Sequence, residues 1–309
     1  MRTARLTDRM FIALTLLMAG SVLAVTTAIL IGISGGASQS LQQFGLRFIL
    51  GQEWDPVREV FGALPFIFGT LITSAIALVL AGLVGVGAAI FLAELAPRPL
   101  QALLSFVVEL LAAIPSVVYG VWGLFVFAPF LREDVVPGLR AGLGWTGLFR
   151  GAFYGPSVLT ASLVLTLMVL PIVISIGRDV LMAVPDSQRE AMLALGATRW
   201  ETIRRAVLPY ARSGILGALI LGLGRAVGET MAVTMVIGNR SEIVLNLLKP
   251  GNTMASVIAN EFAEAATPLY QSALIEIALL LFVITLIINI LARLLVWQVS
   301  RGTLVEGRV

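Results

Sequence analysis

The chain has 309 residues, is 58% hydrophobic and 13% charged, and has a mean hydropathy of +0.98 with a formal net charge of +3. That composition excludes an ordinary soluble domain and indicates a membrane protein. It has no cysteine and no histidine, which removes disulfides, thiolate nucleophiles, imidazole bases and the commonest zinc ligands together.

A helix needs about 20 apolar residues to cross the hydrocarbon core, and long uncharged runs bounded by polar residues predict six spans in an all-α membrane protein. The first, Met10 to Ile33, follows Arg2, Arg5 and Arg9. Its apolar run is longer than the roughly 7–15 residues of a signal-peptide core, so it reads as a retained anchor. Residues 1–63 then form an anchor helix and a first external loop, and residues 64–309 hold the remaining five spans.

The second and third spans are expected at Leu64 to Ala93 and Leu100 to Leu131. Glu109 interrupts the third, and Pro115 in ELLAAIPSVVYG predicts a kink or a re-entrant break there. Glu109 either lines a polar path or caps the broken backbone. The fourth span is Ser157 to Gly177.

Between spans four and five lies RDVLMAVPDSQREAMLALGATRWETIRRAVLPYARSG, the loop 178–212. Ser187 with Glu190 and Thr198 with Glu201 have the spacing of two capping boxes, and Gly196 suits the left-handed residue that ends a helix. The loop therefore reads as helix, glycine turn, helix, with Pro209 kinking or ending the second helix before span five. A DNA-binding helix-turn-helix is excluded, because both ends are tied to spans and Asp179, Asp186, Glu190 and Glu201 dilute the positive charge. Two readings remain for its apolar residues: lying on lipid, or docking into a groove on a cytoplasmic partner.

Span five, Ser213 to Ile237, contains Arg225 and Glu229. A charge at the centre of a span costs at least about 2.5–3.5 kcal/mol on insertion scales, so charges there mark function more often than not. As residues i and i+4 of one helix the two share a face and neutralise each other, while Gly224 and Gly228 form a G-x-x-x-G pair that marks close helix packing. The guanidinium fork suits tetrahedral oxyanions. A carboxylate beside it favours a protonated anion such as hydrogen phosphate over sulfate, and weakens binding enough for release. Span six, Leu274 to Leu291, carries Glu276 near its outer end, which reads as interfacial.

Lysine and arginine resist translocation. One side of the membrane holds Arg2, Arg5, Arg9, Arg98, six arginines between spans four and five, and Arg293, Arg301 and Arg308. The other holds Arg47, Arg58, Arg132, Arg140, Arg150, Arg240 and Lys249. Both termini are thus expected in the cytoplasm, and the pI of about 9.8 follows from topology without any nucleic acid. Three long loops face outside, about Ser34 to Ala63, Arg132 to Pro156 and Gly238 to Ser272, and carry Trp54, Trp145 and Tyr154 as candidate docking residues for an external protein. Lys249 is the only lysine and Pro250 follows it, so no G-x-x-x-x-G-K-[ST] phosphate loop exists. The chain cannot bind ATP that way.

The segment EAMLALGATRWETIRRAVLP resembles the EAA loop of ABC-importer permeases, with Glu190, Ala191, Gly196, Leu208 and Pro209 in register and Met192 and Ala206 as departures. The strings EWDP, ELLAAIPSVVYGVWGLFVFAP, GLGRAVGETMAVTMVIGN and ANEFAEA resemble the permeases of the phosphate-specific (Pst) importers, and among them the PstC branch rather than the PstA branch. The resemblance implies a type I importer fold in a bacterial inner membrane, with the EAA helix coupling to an ATPase. It further implies a heterodimer with a PstA-type permease, two PstB-type ATPase subunits that bind ATP and magnesium, and a PstS-type phosphate-binding protein. The chain itself is then non-catalytic and without a cofactor. Arg225 and Glu229 correspond to that family's charged pair in the phosphate path. A permease for sulfate or molybdate has the same architecture and stays open, whereas an ion-coupled carrier has no use for an EAA loop.

Overall fold

The computed structural model describes residues 2–243 and 245–306; Arg308, among the charges counted above, lies outside them. Every regular element among the described residues is helical. In chain order these are α1 (Arg2–Gly36), α2 (Ser38–Phe44), α3 (Arg47–Leu50), α4 (Leu64–Ile90, prolonged by the π-helical turn Phe91–Leu95), α5 (Arg98–Ala113), α6 (Ser116–Trp122), α7 (Ala128–Phe130) and α8 (Val136–Leu143). There follow α9 (Val158–Met182), α10 (Asp186–Ala194), α11 (Arg199–Thr202), α12 (Leu208–Gly228), α13 (Met231–Val236), α14 (Met254–Glu261) and α15 (Pro268–Glu306).

Among the described residues five helices are long and apolar enough to span a bilayer: Met10–Gly36, Leu64–Leu95, Val158–Met182, Arg199–Gly228 and Pro268–Gln298. The expected third span is a bent pair, Arg98–Ala113 and Ser116–Thr146, at 91° to each other. Pro115 causes the break, since its ring removes a backbone donor and pushes Ile114 into extended backbone at ψ 127°. The Tyr119 hydroxyl crosses the break and donates to the Leu111 carbonyl at 3.0 Å, satisfying one of the freed acceptors.

The core of the bundle is α4, α9 and α12, which pack on one another. Small residues recur every fourth position along α12: Gly214, Ala218, Gly222 and Ala226. A Cβ on Gly214 would collide with Val180 Cγ1, and one on Gly222 would stand 2.7 Å from Val169 Cγ1, so α12 lies directly on α9 along this stripe. The expected pair Gly224 and Gly228 plays no such part, because a Cβ added to either would have nothing within 4 Å. Side chains separated by four residues make one face, and the neighbouring chain decides which face is covered.

At the end where α9 begins, Phe48, Phe61, Phe66, Met254, Leu269 and Leu274 form a second core with Trp54 packed against it. The strings EWDP and ANEFAEA meet here: Trp54 Nε1 and the Tyr270 hydroxyl both donate to Glu261 Oε2, at 2.8 and 2.5 Å. Trp54 is therefore committed to the fold, while Trp145 and Tyr154 remain 77% and 79% exposed. Glu276 is only 2% exposed. It is enclosed where α2 packs on α15, beside Ser40, and its Oε2 has no hydrogen-bond partner among the described residues.

Candidate functional site

Two places on the molecule concentrate charge inside or beside the spans. The first is the break in span five. The helix runs only to Gly228, and Glu229 takes extended backbone (φ −71°, ψ 125°) before α13 resumes at Met231. Arg225 and Glu229 thus do not share a helix face, contrary to the i, i+4 expectation, and no salt bridge joins them among the described residues.

Each charge instead sits at the helix end that suits it. Arg225 lies in the last turn of α12, where unpaired carbonyls make the dipole negative. Glu229 lies just ahead of α13 and accepts from the Ala232 backbone N–H at 3.3 Å, where unpaired N–H groups favour an anion. Splitting a span into two half-helices is how membrane chains hold ions near the bilayer centre.

Leu221, Arg225 and Gly228, one face of α12, are exposed in this chain. No hydrogen bond or ion pair occupies the Arg225 guanidinium among the described residues; Tyr119 lies within its electrostatic reach. The two broken spans lie side by side, because α13 packs on α6. A Cβ on Gly120 would fall 2.6 Å from Met235 Sδ and 3.0 Å from Ala232 Cα, so only glycine admits that approach.

A cavity of about 410 Å³ opens beside the other break, at Pro115, lined by Val108, Leu111, Ile114, Tyr119, Leu167 and Pro171 among others. Its walls are apolar, and its one hydroxyl is engaged by Leu111. It offers an anion nothing in exchange for its water.

Glu109 does not join Arg225 and Glu229. Its carboxylate is 61% exposed and faces Arg178 Nη2 at 3.9 Å, while that guanidinium binds Asp179 at 2.8 Å. Gly214 meets Val180 and Gly222 meets Val169 and Val173, so Arg178 lies roughly level with Leu216. Arg225 is then about 14 Å further along the axis, at about 1.5 Å per residue. Nor does Glu109 cap the backbone broken at Pro115, since no such hydrogen bond is present among the described residues.

The second place is the loop 178–212. Glu190 and Ala191 are exposed on α10, no residue of which is buried. Gly196 follows at φ +81°, the left-handed conformation expected of it. Thr198 and Glu201 form the second capping box. The first does not form: the helix starts two residues earlier, at Asp186, with Pro185 at its N-cap and no side-chain cap.

Pro209 does not end the second helix, which continues from Arg199 to Gly228 as one span. The π-helical turn Ile203–Val207 widens the backbone just where proline has no N–H to give and its ring needs room. Leu208 packs inward against Leu181, Val184 and Val207, while Pro209 is exposed. Leu193, Leu195 and Trp200 stand 50%, 84% and 58% exposed at this end, an uncovered apolar surface beside a projecting helix.

Sequence reasoning missed the pair Arg189 and Glu94. Arg189 Nη2 and Nε approach Glu94 Oε1 and Oε2 at 2.8 and 3.3 Å. Nη1 reaches Asp186 Oδ1 at 3.1 Å, and the guanidinium also donates to the Leu181 and Val184 carbonyls. The Glu94 carboxylate, hydrogen-bonded to it, raises Arg189 above the usual arginine range. Nothing local announces this pair, since its members are 95 residues apart.

Residues 85–301 match the family described as "Binding-protein-dependent transport system inner membrane component". The chain is 47% identical over 306 residues to the phosphate transport system permease protein PstC of Mesorhizobium japonicum, covering 98% of this chain and 94% of that one. It is 46% identical over 298 residues to the PstC of Haemophilus influenzae, covering 95% and 94%. Among solved structures, a chain of the MetNI methionine ABC transporter in an inward-facing conformation superposes with a TM-score of 0.54 at 18% identity, covering 80% of this chain and 99% of that one. A bacterial ABC transporter that imports the acidic polysaccharide alginate gives 0.56 at 18% identity, covering 90% and 95%. At those identities the likeness concerns the fold, that of an ABC-importer permease. By the extent of the match and the identity across nearly its whole length, the chain belongs to the binding-protein-dependent inner membrane components, among the PstC permeases.

Proposed function

We propose that this chain is the transmembrane permease subunit of an ATP-driven phosphate importer, forming half of the translocation path and hydrolysing nothing itself. Arg225 carries the reading: a guanidinium in the last turn of a half-helix, on an open face, with no ion pair among the described residues. Such a group is set to take an oxyanion through its planar fork. Glu229, held at the next half-helix, accepts a hydrogen bond from a protonated phosphate and repels fully ionised sulfate. Glu109 stands further along the same route, toward the loop 178–212.

The face around Arg225 is completed by a PstA-type permease. The helix with Glu190 and Ala191, ended by the turn at Gly196, docks on a PstB-type ATPase, two of which bind ATP and magnesium, while Leu208 and Pro209 join that contact to span five. A PstS-type protein delivers phosphate to the opposite face, where Trp145 and Tyr154 are uncovered. Both termini lie in the cytoplasm of a bacterial cell, by the distribution of arginine. ATP binding and hydrolysis then move α10 and, through it, the spans, so that Arg225 is open to each side in turn.

The test is ATP-dependent uptake of labelled phosphate into vesicles holding the whole complex. Arg225→Gln removes uptake by about 100-fold or more, equal to about 2.7 kcal/mol, with the complex still assembled. Excess sulfate leaves wild-type uptake unchanged. Undiminished uptake in Arg225→Gln ends the path assignment, and competition by sulfate or molybdate turns the reading to another oxyanion.

A further inference from the structure

Helix α10 has no buried residue, yet in the proposed function it must pass force to the spans. Its chain connections are thin. Ala183, Val184 and Pro185 link it to α9, and Gly196, with φ +81° and open space where a Cβ would stand, links it onward to α11. Val184 meets the end of α4 only through an apolar cluster with Ala89, and neither link gives α10 a directed bond to α4, the helix that packs most broadly on α9.

Arg189 supplies that connection. Its side chain is 19% exposed and that of Glu94 10%, and the two meet through both forks at 2.8 and 3.3 Å. Glu94 belongs to the π-helical turn that ends span two. The same guanidinium donates to the Leu181 carbonyl in the last turn of α9 and to the Val184 carbonyl just beyond it, satisfying acceptors the helix end leaves open. One side chain on α10 therefore holds the ends of spans two and four. Beside it Ala89, Leu181, Val184, Val207 and Ala211 form an apolar cluster that joins the same two ends to span five. Two parallel charge-assisted hydrogen bonds fix orientation as well as distance, which a greasy contact of α10 on the bundle does not.

We propose that Arg189, with Glu94, is the positioning tether through which α10 drives span two. This rests on the reading of α10 as the ATPase-coupling helix. Cutting the tether leaves α10 able to follow the ATPase without carrying span two, so hydrolysis continues and transport does not.

The absence of cysteine from the chain makes a covalent replacement clean. The complete complex is reconstituted with its binding protein, and phosphate taken up per ATP hydrolysed is measured. For Arg189→Gln, and for Glu94→Gln if the former does not assemble, this ratio falls about 10-fold or more while hydrolysis persists. The paired variant Glu94→Cys with Arg189→Cys behaves likewise when reduced and recovers the ratio when a short bifunctional thiol reagent spans the two positions. A ratio that stays at the wild-type value in an assembled glutamine variant overturns the tether, as does a cross-linked complex no better than the reduced one. A wild-type complex that takes up phosphate without hydrolysing ATP overturns the coupling reading itself, a separate result.

Discussion

Arg189 and Arg225 are the same residue in opposite circumstances. Arg189 is 19% exposed and bound by Glu94, Asp186 and two carbonyls, whereas Arg225 is exposed with no ion pair among the described residues. A half-buried guanidinium whose donors are all engaged has nothing left for a ligand and is fixed in place. One held by a helix end alone keeps its fork free. The difference teaches that the function of an arginine beside a membrane is read from what its donors already hold, not from the presence of charge.

The contrast is broken most severely by removing each guanidinium and measuring stability. Arg189→Met leaves the partly buried Glu94 without its partner, which costs about 1.5–3 kcal/mol. Arg225→Gln strands no buried partner, so its unfolding in detergent moves by less than about 0.5 kcal/mol even as uptake is lost. Comparable losses in the two variants would mean that Arg225 is also structural.

A smaller effect separates the two faces of α12. Gly214→Ala forces a methyl into the Val180 side chain and costs about 1–3 kcal/mol by overpacking. Gly228→Ala has nothing within 4 Å, so thermal unfolding of the isolated chain shifts far less. Equal shifts would show that the face around Arg225 is closed by this chain.

The smallest effect sharpens the coupling end. Thr198→Ala removes a formed capping box and costs about 1 kcal/mol, while Ser187→Ala removes no side-chain cap and is close to neutral. Amide hydrogen exchange across 186–202 distinguishes them, with faster exchange at the start of α11 in the first variant alone.

Much of this was legible in the residues because it is local. A run of apolar residues long enough to span, a proline that breaks one, a glycine at φ +81°, and a threonine three residues ahead of a glutamate act on their immediate backbone. The EAA segment carried the likeness to permeases, and GRAVGETMAV marked the charged site. Spacing misled where it assumed an unbroken helix. Gly228–Glu229–Thr230 contains no proline, yet the helix stops there, with Glu229 capping the next one.

By itself the sequence determined a helical membrane chain of long apolar spans, one of them broken at Pro115, with a polar segment 178–212 and an arginine in the apolar run 213–237, since hydropathy and local backbone chemistry need no distant partner. Only the tertiary structure decided that Gly214 and Gly222, not Gly224 and Gly228, meet α9, that Glu276 is enclosed, that Trp54 is part of a core, and that Arg189 binds Glu94. The physical reason is common to all four. Period and spacing say which residues share a face, but whether that face meets solvent, lipid or another helix depends on residues brought alongside from elsewhere in the chain.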